Sequence, residues 1–137
     1  MSWGIASAQR VLYPARAASP ASGPLPATTV TTLTASDGRP YQVWRFDAAA
    51  ARGRVLICHG FFANRDQVLG VADGLRQRGY DALVFELRGH GDRPGPCTLG
   101  LRESDDAQRI MHWASASDRG RPLPWGAVGF SMGASVL

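Results

Sequence analysis

Ser131 lies in Gly129-Phe130-Ser131-Met132-Gly133, a G-x-S-x-G pattern, six residues before Leu137. A free serine hydroxyl is a weak nucleophile, and proteins activate it by position and by a neighbouring base. The pattern supplies the position. It sets the serine on a sharp turn between a strand and a helix, with its oxygen raised above the sheet. Gly129 and Gly133 must flank so tight a turn, because side chains there would clash. The N–H of Met132, at the start of the following helix, would point at the oxygen of a bound carbonyl. In this arrangement an acid and then a histidine follow the serine in chain order. Here the last acid is Asp118 and the last histidine is His112, both upstream. The expectation is a nucleophile without the rest of its triad, as in part of a longer protein.

Two other short runs could serve the same chemistry. His59-Gly60-Phe61 directly follows an apolar stretch, Arg54 to Cys58. A loop at that end of a strand can turn a backbone N–H toward the same carbonyl oxygen, and the Phe61 N–H is the expected second donor of an oxyanion hole. Arg88-Gly89-His90-Gly91-Asp92 follows the next apolar stretch. It fails as a dinucleotide loop, because Pro94 stands where the third glycine belongs. His90 precedes the serine, which is the wrong order for the base, so the run reads as a structural loop. His112 sits beside Met111 and Trp113 in a helical stretch and reads as a surface or packing residue. Three histidines in three contexts, without H-E-x-x-H spacing, give no metal site. No cofactor is expected.

The elements that must position these loops are visible as hydrophobic periodicity. Thr29 to Thr34 and Tyr41 to Phe46 are β-branched and aromatic, and the Asp37-Gly38 turn signal lies between them, which predicts an antiparallel hairpin. Arg54 to Cys58, Asp81 to Leu87 and Trp125 to Phe130 are short apolar runs of the kind covered on both faces. Val68, Val71, Ala72 and Leu75 make one helical stripe, closed by Gly79 as the residue after the C-cap. Ala107, Ile110, Met111 and Ala114 make another. Glu103, Asp105 and Asp106 are expected to precede it, where negative charge suits the helix dipole. Strand, helix, strand, helix, strand implies right-handed crossovers and parallel strands, so with the hairpin the sheet is mixed. Residues 1–27, rich in Pro and Ala, read as an extended N-terminal arm, and residues 28–137 as the domain.

Composition removes several alternatives. At 45% apolar, 137 residues can bury a core. No stretch reaches the roughly 18 apolar residues of a membrane span, and no signal-peptide pattern opens the chain, so a cytoplasmic location is expected. The net charge is +4, and every one of the 15 basic residues is arginine. They are scattered among the acids, not gathered on a face, which argues against a nucleic-acid partner. Two cysteines are too few for a disulfide framework. Cys58 reads as a core residue and Cys97 as part of a Pro/Gly loop.

Taken together, Ile57-Cys58-His59-Gly60-Phe61, Leu87-Arg88-Gly89-His90-Gly91 and Gly129-Phe130-Ser131-Met132-Gly133 resemble the α/β-hydrolase superfamily in order and spacing. The Ser36-Asp37-Gly38 turn and Trp44 before the first parallel strand resemble it too. The nearest flavour is the bacterial serine-aminopeptidase-like (S33-type) and esterase-like branch. The resemblance covers residues 28–137. It implies the N-terminal half of an α/β-hydrolase fold: a mixed, mostly parallel sheet flanked by helices, truncated after the nucleophile elbow. It implies Ser131 as nucleophile with Phe61 and Met132 as oxyanion donors, and His59, Gly60, Gly129, Gly133, Arg88, Gly89, His90 and Gly91 as the residues that shape the loops. The family places a serine soon after Gly91, where this chain has Asp92-Arg93. The implied reaction is hydrolysis of an ester, small peptide or amide through an acyl-enzyme on Ser131. The 137-residue chain alone, without its acid and histidine, is expected to be inactive. The competing expectation is a non-catalytic binding module or broken-gene remnant that keeps the fold.

Overall fold

Three short apolar runs form the centre of the molecule: β3 (Arg54–Cys58), β4 (Asp81–Phe85) and β5 (Trp125–Gly129). The structure, a computed structural model, describes residues 3–16, 28–118 and 122–137. β3 lies between β4 and β5 and is parallel to both. The hairpin β1 (Thr28–Thr34) and β2 (Pro40–Phe46) is antiparallel and joins the sheet through β2 against β4. The order is β1-β2-β4-β3-β5, the mixed sheet expected from the sequence, with β5 on one edge.

Side-chain alternation along the strands divides the core in two. Leu56, Cys58, Leu83 and Phe85 point to one face, under α3 (Leu101–Ser115) and α4 (Met132–Val136). Val55, Ile57, Ala82 and Val84 point to the other, under α2 (Asp66–Gln77), where they meet Val68 and Ala72. The crossovers β3-α2-β4 and β4-α3-β5 are of one hand and step in opposite directions along the sheet, which places their helices on opposite faces. Each large side chain buried here contributes roughly 1.5–3 kcal/mol from water exclusion.

The differences from expectation have local causes. Residues 3–12, expected within the extended arm, form helix α1 (Trp3–Leu12). That segment contains no proline, and Pro14 begins only after the helix has ended. The Cys97 N–H donates to the Leu12 carbonyl at 2.7 Å, which ties the end of α1 to the loop after β4. The remainder of the expected arm from residue 17 to 27 lies outside the described residues. Glu103, Asp105 and Asp106 precede the Ala107 stripe as expected, but α3 already begins at Leu101, so all three lie within it, Glu103 in its first turn. Glu103 folds back to cap the helix start, accepting the Thr98 N–H at 2.8 Å and the Gly100 N–H at 2.9 Å. β4 ends at Phe85, two residues early, because the Leu87 N–H leaves the ladder and donates to the His59 ring. Gly79 follows α2 with φ +84°, as its place after the C-cap requires.

Candidate active site

The parallel strands bring the ends of β3, β4 and β5 to one edge of the sheet, so the loops that start at His59, Glu86 and Phe130 share it. Open α/β sheets bind ligands at this carboxyl edge. Ser131 has φ 51° and ψ −119°, a strained conformation for a residue with a Cβ. The surroundings enforce it. A Cβ on Gly129 would lie 2.5 Å from the Ala134 backbone, and one on Gly133 would lie 2.5 Å from the carbonyl oxygens of Cys58 and His59. Only glycine lets the turn close onto β3. The Gly133 N–H bonds to the Phe130 carbonyl at 2.8 Å and the Ala134 N–H to the Ser131 carbonyl at 2.9 Å. The Met132 N–H, first in α4, has no carbonyl four residues back within the helix.

Gly60 abuts this turn. A Cβ on it would meet the Phe130 carbonyl oxygen at 3.3 Å and the Ser131 Cβ at 3.6 Å. The Gly60 N–H donates to Gln67 Oε1 at 2.9 Å, and its carbonyl accepts the Ala63 N–H. Phe61 stacks edge-on against Phe62 and His90, with centroids at 4.2 Å and 5.3 Å. No hydrogen bond occupies the Phe61 N–H among the described residues. Phe61 and Met132, each directly after a residue of the Gly60–Ser131 contact, lie on adjacent loops, and neither N–H has a backbone partner among the described residues.

The other expected residues have structural surroundings. His59 is fully buried, with Nδ1 2.8 Å from the Gly60 carbonyl. His90 is buried as well, and its Nδ1 lies 2.9 Å from the Arg88 carbonyl. Burial holds the His90 ring below the usual imidazole range, against the raising effect of the Arg88 carbonyl. Arg88 is a clamp: Nε and Nη2 meet Asp106 at 2.7 and 2.8 Å, and Nη1 meets Asp37 at 2.6 Å. Gly89 and Gly91 have φ of +74° and +48° in the same loop. Cys97 is buried and its thiol donates to Met132 Sδ at 3.7 Å. Cys58 is core, and burial raises its thiol far above the usual range.

His112 is exposed on α3. Asp118 pairs with Arg54, at 2.8 Å for Oδ2, at the start of β3 and so at the opposite edge of the sheet from Ser131. Among the described residues, no histidine or carboxylate hydrogen-bonds the Ser131 hydroxyl, and no group of His, Cys, Asp and Glu has metal-binding geometry. No described helix is long and apolar enough to cross a membrane.

Sequence reasoning missed the charged residues beneath these loops. Asp106 is fully buried and takes both Arg88 and Arg93. Glu86, 3% exposed, meets His59 and Arg65. The signal for Asp106 was its place in the helical stripe: Glu103, Asp106, Ala107, Ile110 and Ala114 all share the buried face of α3. An apolar pocket of about 260 Å³ opens between α3, α4 and β5, against Leu56, Met111, Trp125 and Val136, and does not include Ser131.

Comparison with known proteins agrees with this geometry. Residues 53–137 match the family described as alpha/beta hydrolase fold. An uncharacterized protein of Mycobacterium tuberculosis is 31% identical over 119 residues, covering 85% of this chain and 42% of that protein. An esterase of Pyrococcus furiosus superposes with a TM-score of 0.78 at 26% identity, covering 91% of this chain and 51% of the esterase. A serine hydrolase of Xanthomonas campestris, described as lacking a lid, superposes with a TM-score of 0.67 at 24% identity, covering 88% of this chain and 56% of that one. The chain thus spans about half the length of these relatives.

Proposed function

We propose that this chain, which belongs to the alpha/beta hydrolase fold family, carries the nucleophile and both oxyanion donors of a serine hydrolase acting on carboxylic esters. Small peptides and amides, the substrates of the aminopeptidase-like branch, are the nearest alternative. The likeness to an esterase supports the ester reading. The observation that carries the proposal is Ser131 at φ 51°, held between two glycines that admit no side chain.

In the proposed reaction, Ser131 Oγ attacks the carbonyl carbon and gives its proton to a general base. The carbonyl oxygen gains the negative charge and is met by the Phe61 and Met132 N–H groups. The alcohol leaves with the base's proton, and water then releases the acid from the acyl-enzyme. Removing one oxyanion donor in such sites costs a factor of about 10²–10³. We assign the base and its acid to the part of the relatives' length that this chain does not span, so the 137 residues alone should be inactive. Residues 28–137 would be part of the catalytic domain and residues 1–27 a lead-in to it. The whole protein would act on a small-molecule substrate in the cytoplasm, without a cofactor.

Phosphonylation by a fluorophosphonate probe and turnover of p-nitrophenyl acetate test this reading on the whole protein. Both should fall to background in Ser131→Ala. Labelling and turnover that persist in that variant would place the nucleophile elsewhere, and a parent already at background would leave the fold as a non-catalytic module.

A further inference from the structure

Gly60 and Phe61 share a peptide group. A trans peptide is planar, so its C=O and N–H point in opposite directions. Whatever fixes the Gly60 carbonyl therefore fixes the direction of the Phe61 N–H. His59 lies 2.8 Å from that carbonyl through Nδ1. A carbonyl only accepts, so Nδ1 carries the hydrogen. Nε2 lies 3.1 Å from Glu86 Oε1 and 3.1 Å from the Leu87 N. In the imidazolium, with both ring nitrogens protonated, Nε2 donates to Glu86 in place of accepting the Leu87 N–H, and that is the state in which Glu86 holds the ring.

Glu86 also holds the other end of the same loop. Its Oε1 accepts the Arg65 N–H at 2.6 Å, and its Oε2 meets Arg65 Nη1 at 3.0 Å. Arg65 reaches Asp92 at 2.8 Å and lies over the Trp44 ring. A Cβ on Gly91 would lie 2.0 Å from Glu86 Oε2, so the carboxylate is packed directly against that backbone. Burial alone would push the Glu86 carboxyl up. The hydrogen bond and charge of His59 and the Arg65 contacts outweigh it and hold the group below the usual carboxylate range. Between the two anchors lies Phe62, 59% exposed at φ 59°. A strained backbone persists only where its surroundings over-determine it.

We propose that Glu86 is a positioning residue for residues 59–65, holding His59 at one end and Arg65 at the other so that the Phe61 N–H stays turned toward Ser131. This rests on the hydrolase reading and names the group that keeps its oxyanion donor in place. Glu86 does not touch the reacting atoms; it acts through His59.

The test uses the whole protein. Glu86→Gln keeps the shape and removes the charge, and His59→Gln breaks the same link from the other side. If the proposal holds, Glu86→Gln melts within a few degrees of the parent, and kcat for p-nitrophenyl acetate falls about 30-fold with KM changed by less than about twofold. The inhibition constant of an aryl trifluoromethyl ketone, whose adduct places an oxyanion in the same position, should rise by the same factor as kcat falls. The double variant should lose little beyond either single one. Unchanged kcat in a folded Glu86→Gln overturns the proposal. So does loss of folding in both variants, which would assign the pair to stability. Turnover that survives Ser131→Ala sinks the reading of Ser131 as the nucleophile, on which the proposal rests. Ser131-dependent turnover that ignores Glu86→Gln sinks only the positioning role.

Discussion

At the amino ends of the parallel strands, Asp81 gathers Arg45 and the Ala48 N–H, and Arg54 reaches Asp118. At the carboxyl ends, Glu86 and Asp106 gather His59, Arg65, Arg88 and Arg93. Both ends bury charge and both pair it. They differ in what the pairs hold. The amino-end pairs close onto strands in ordinary conformations. The carboxyl-end pairs hold loops that carry Phe62 and Leu99, two of the three non-glycine residues of positive φ, and the third, Ser131, lies on the adjoining elbow. Two of these, Phe62 and Leu99, are also large, apolar and more than half exposed. Burial does not account for such residues, and the fold gains nothing from their strain. The difference separates charge that stabilises a sheet from charge that holds a strained edge.

The sharpest way to break the comparison is to add a methyl group at Gly133, in α4 just past the elbow, and at Gly126, near the start of β5. A Cβ at Gly133 meets two backbone oxygens at 2.5 Å, whereas one at Gly126 meets Val55 Cγ2 at 3.7 Å and the Arg54 carbonyl at 3.9 Å. Backbone oxygens in the sheet cannot move aside. Gly133→Ala should cost about 3 kcal/mol and abolish fluorophosphonate labelling, and Gly126→Ala should stay within about 0.5 kcal/mol of the parent. Urea unfolding of both variants measures this. Equal costs at the two positions would mean that the elbow is no tighter than the rest of the strand.

Removing an amino-end charge should separate stability from activity. Asp81 is 3% exposed, and Asp81→Asn weakens its hold on Arg45 and Arg54. A loss of about 2 kcal/mol is expected, discounted because Arg45 is partly solvated. At temperatures where the variant is folded, kcat should match the parent. A fall in kcat without a fall in stability would show that the amino end also governs the site.

Much of this geometry was legible from residue types. The three parallel strands and the loops after them follow from short apolar runs and from the helical stripes between them. The positive φ of Ser131 follows from Gly129 and Gly133. The charged layer was not legible in the same way. Arg88, Arg93, Glu86 and Asp106 are residue types that usually face water, and no local pattern says which of them will meet. Asp106 looked like a helix-start acid because it stands beside Asp105, yet the 3.6-residue period puts it on the face with Ala107 and Ile110. Helix α1 was hidden for another reason: a run of small residues followed by prolines supports an arm as readily as a helix.

The carboxyl-end acids should also set the acid limb of stability. Glu103 is buried, which raises its carboxyl, but hydrogen bonds from Thr98, from its own backbone and from Gly100 outweigh this and hold it below the ordinary 4.5. Glu86 is lowered for the reasons given above. A carboxyl whose folded pKa is depressed stabilises the protein fully above its unfolded value. That contribution is lost as pH falls through the folded value. Stability should therefore hold from neutral pH down to about 5 and decline below the ordinary carboxylate value near 4.5. Chemical unfolding at pH 7, 5, 4 and 3 should show this decline, and Glu103→Gln should make it shallower while lowering stability at pH 7. An unchanged acid limb in that variant would place the sensitive carboxyls at the amino end, on Asp118.

The smallest effect should have the opposite sign. Leu99 is 55% exposed at φ 53°, between Cys97, which contacts Met132, and Gly100, which lies near the Ser135 carbonyl. Holding a branched residue there costs roughly 1–2 kcal/mol, and glycine would relieve it. Glycine also loses more freedom on folding, which returns roughly 0.5–1 kcal/mol. Leu99→Gly should therefore stabilise the protein by about 0.5 kcal/mol, a shift of a few degrees in Tm. Glycine at an amino-end strand position such as Ala82, fully buried in ordinary β conformation, should do the reverse. If the Leu99 change also lowers turnover of apolar esters, the strain was retained for the substrate. If Leu99→Gly destabilises the protein, Leu99 packs against something in the whole protein, and its exposure belongs to these 137 residues alone.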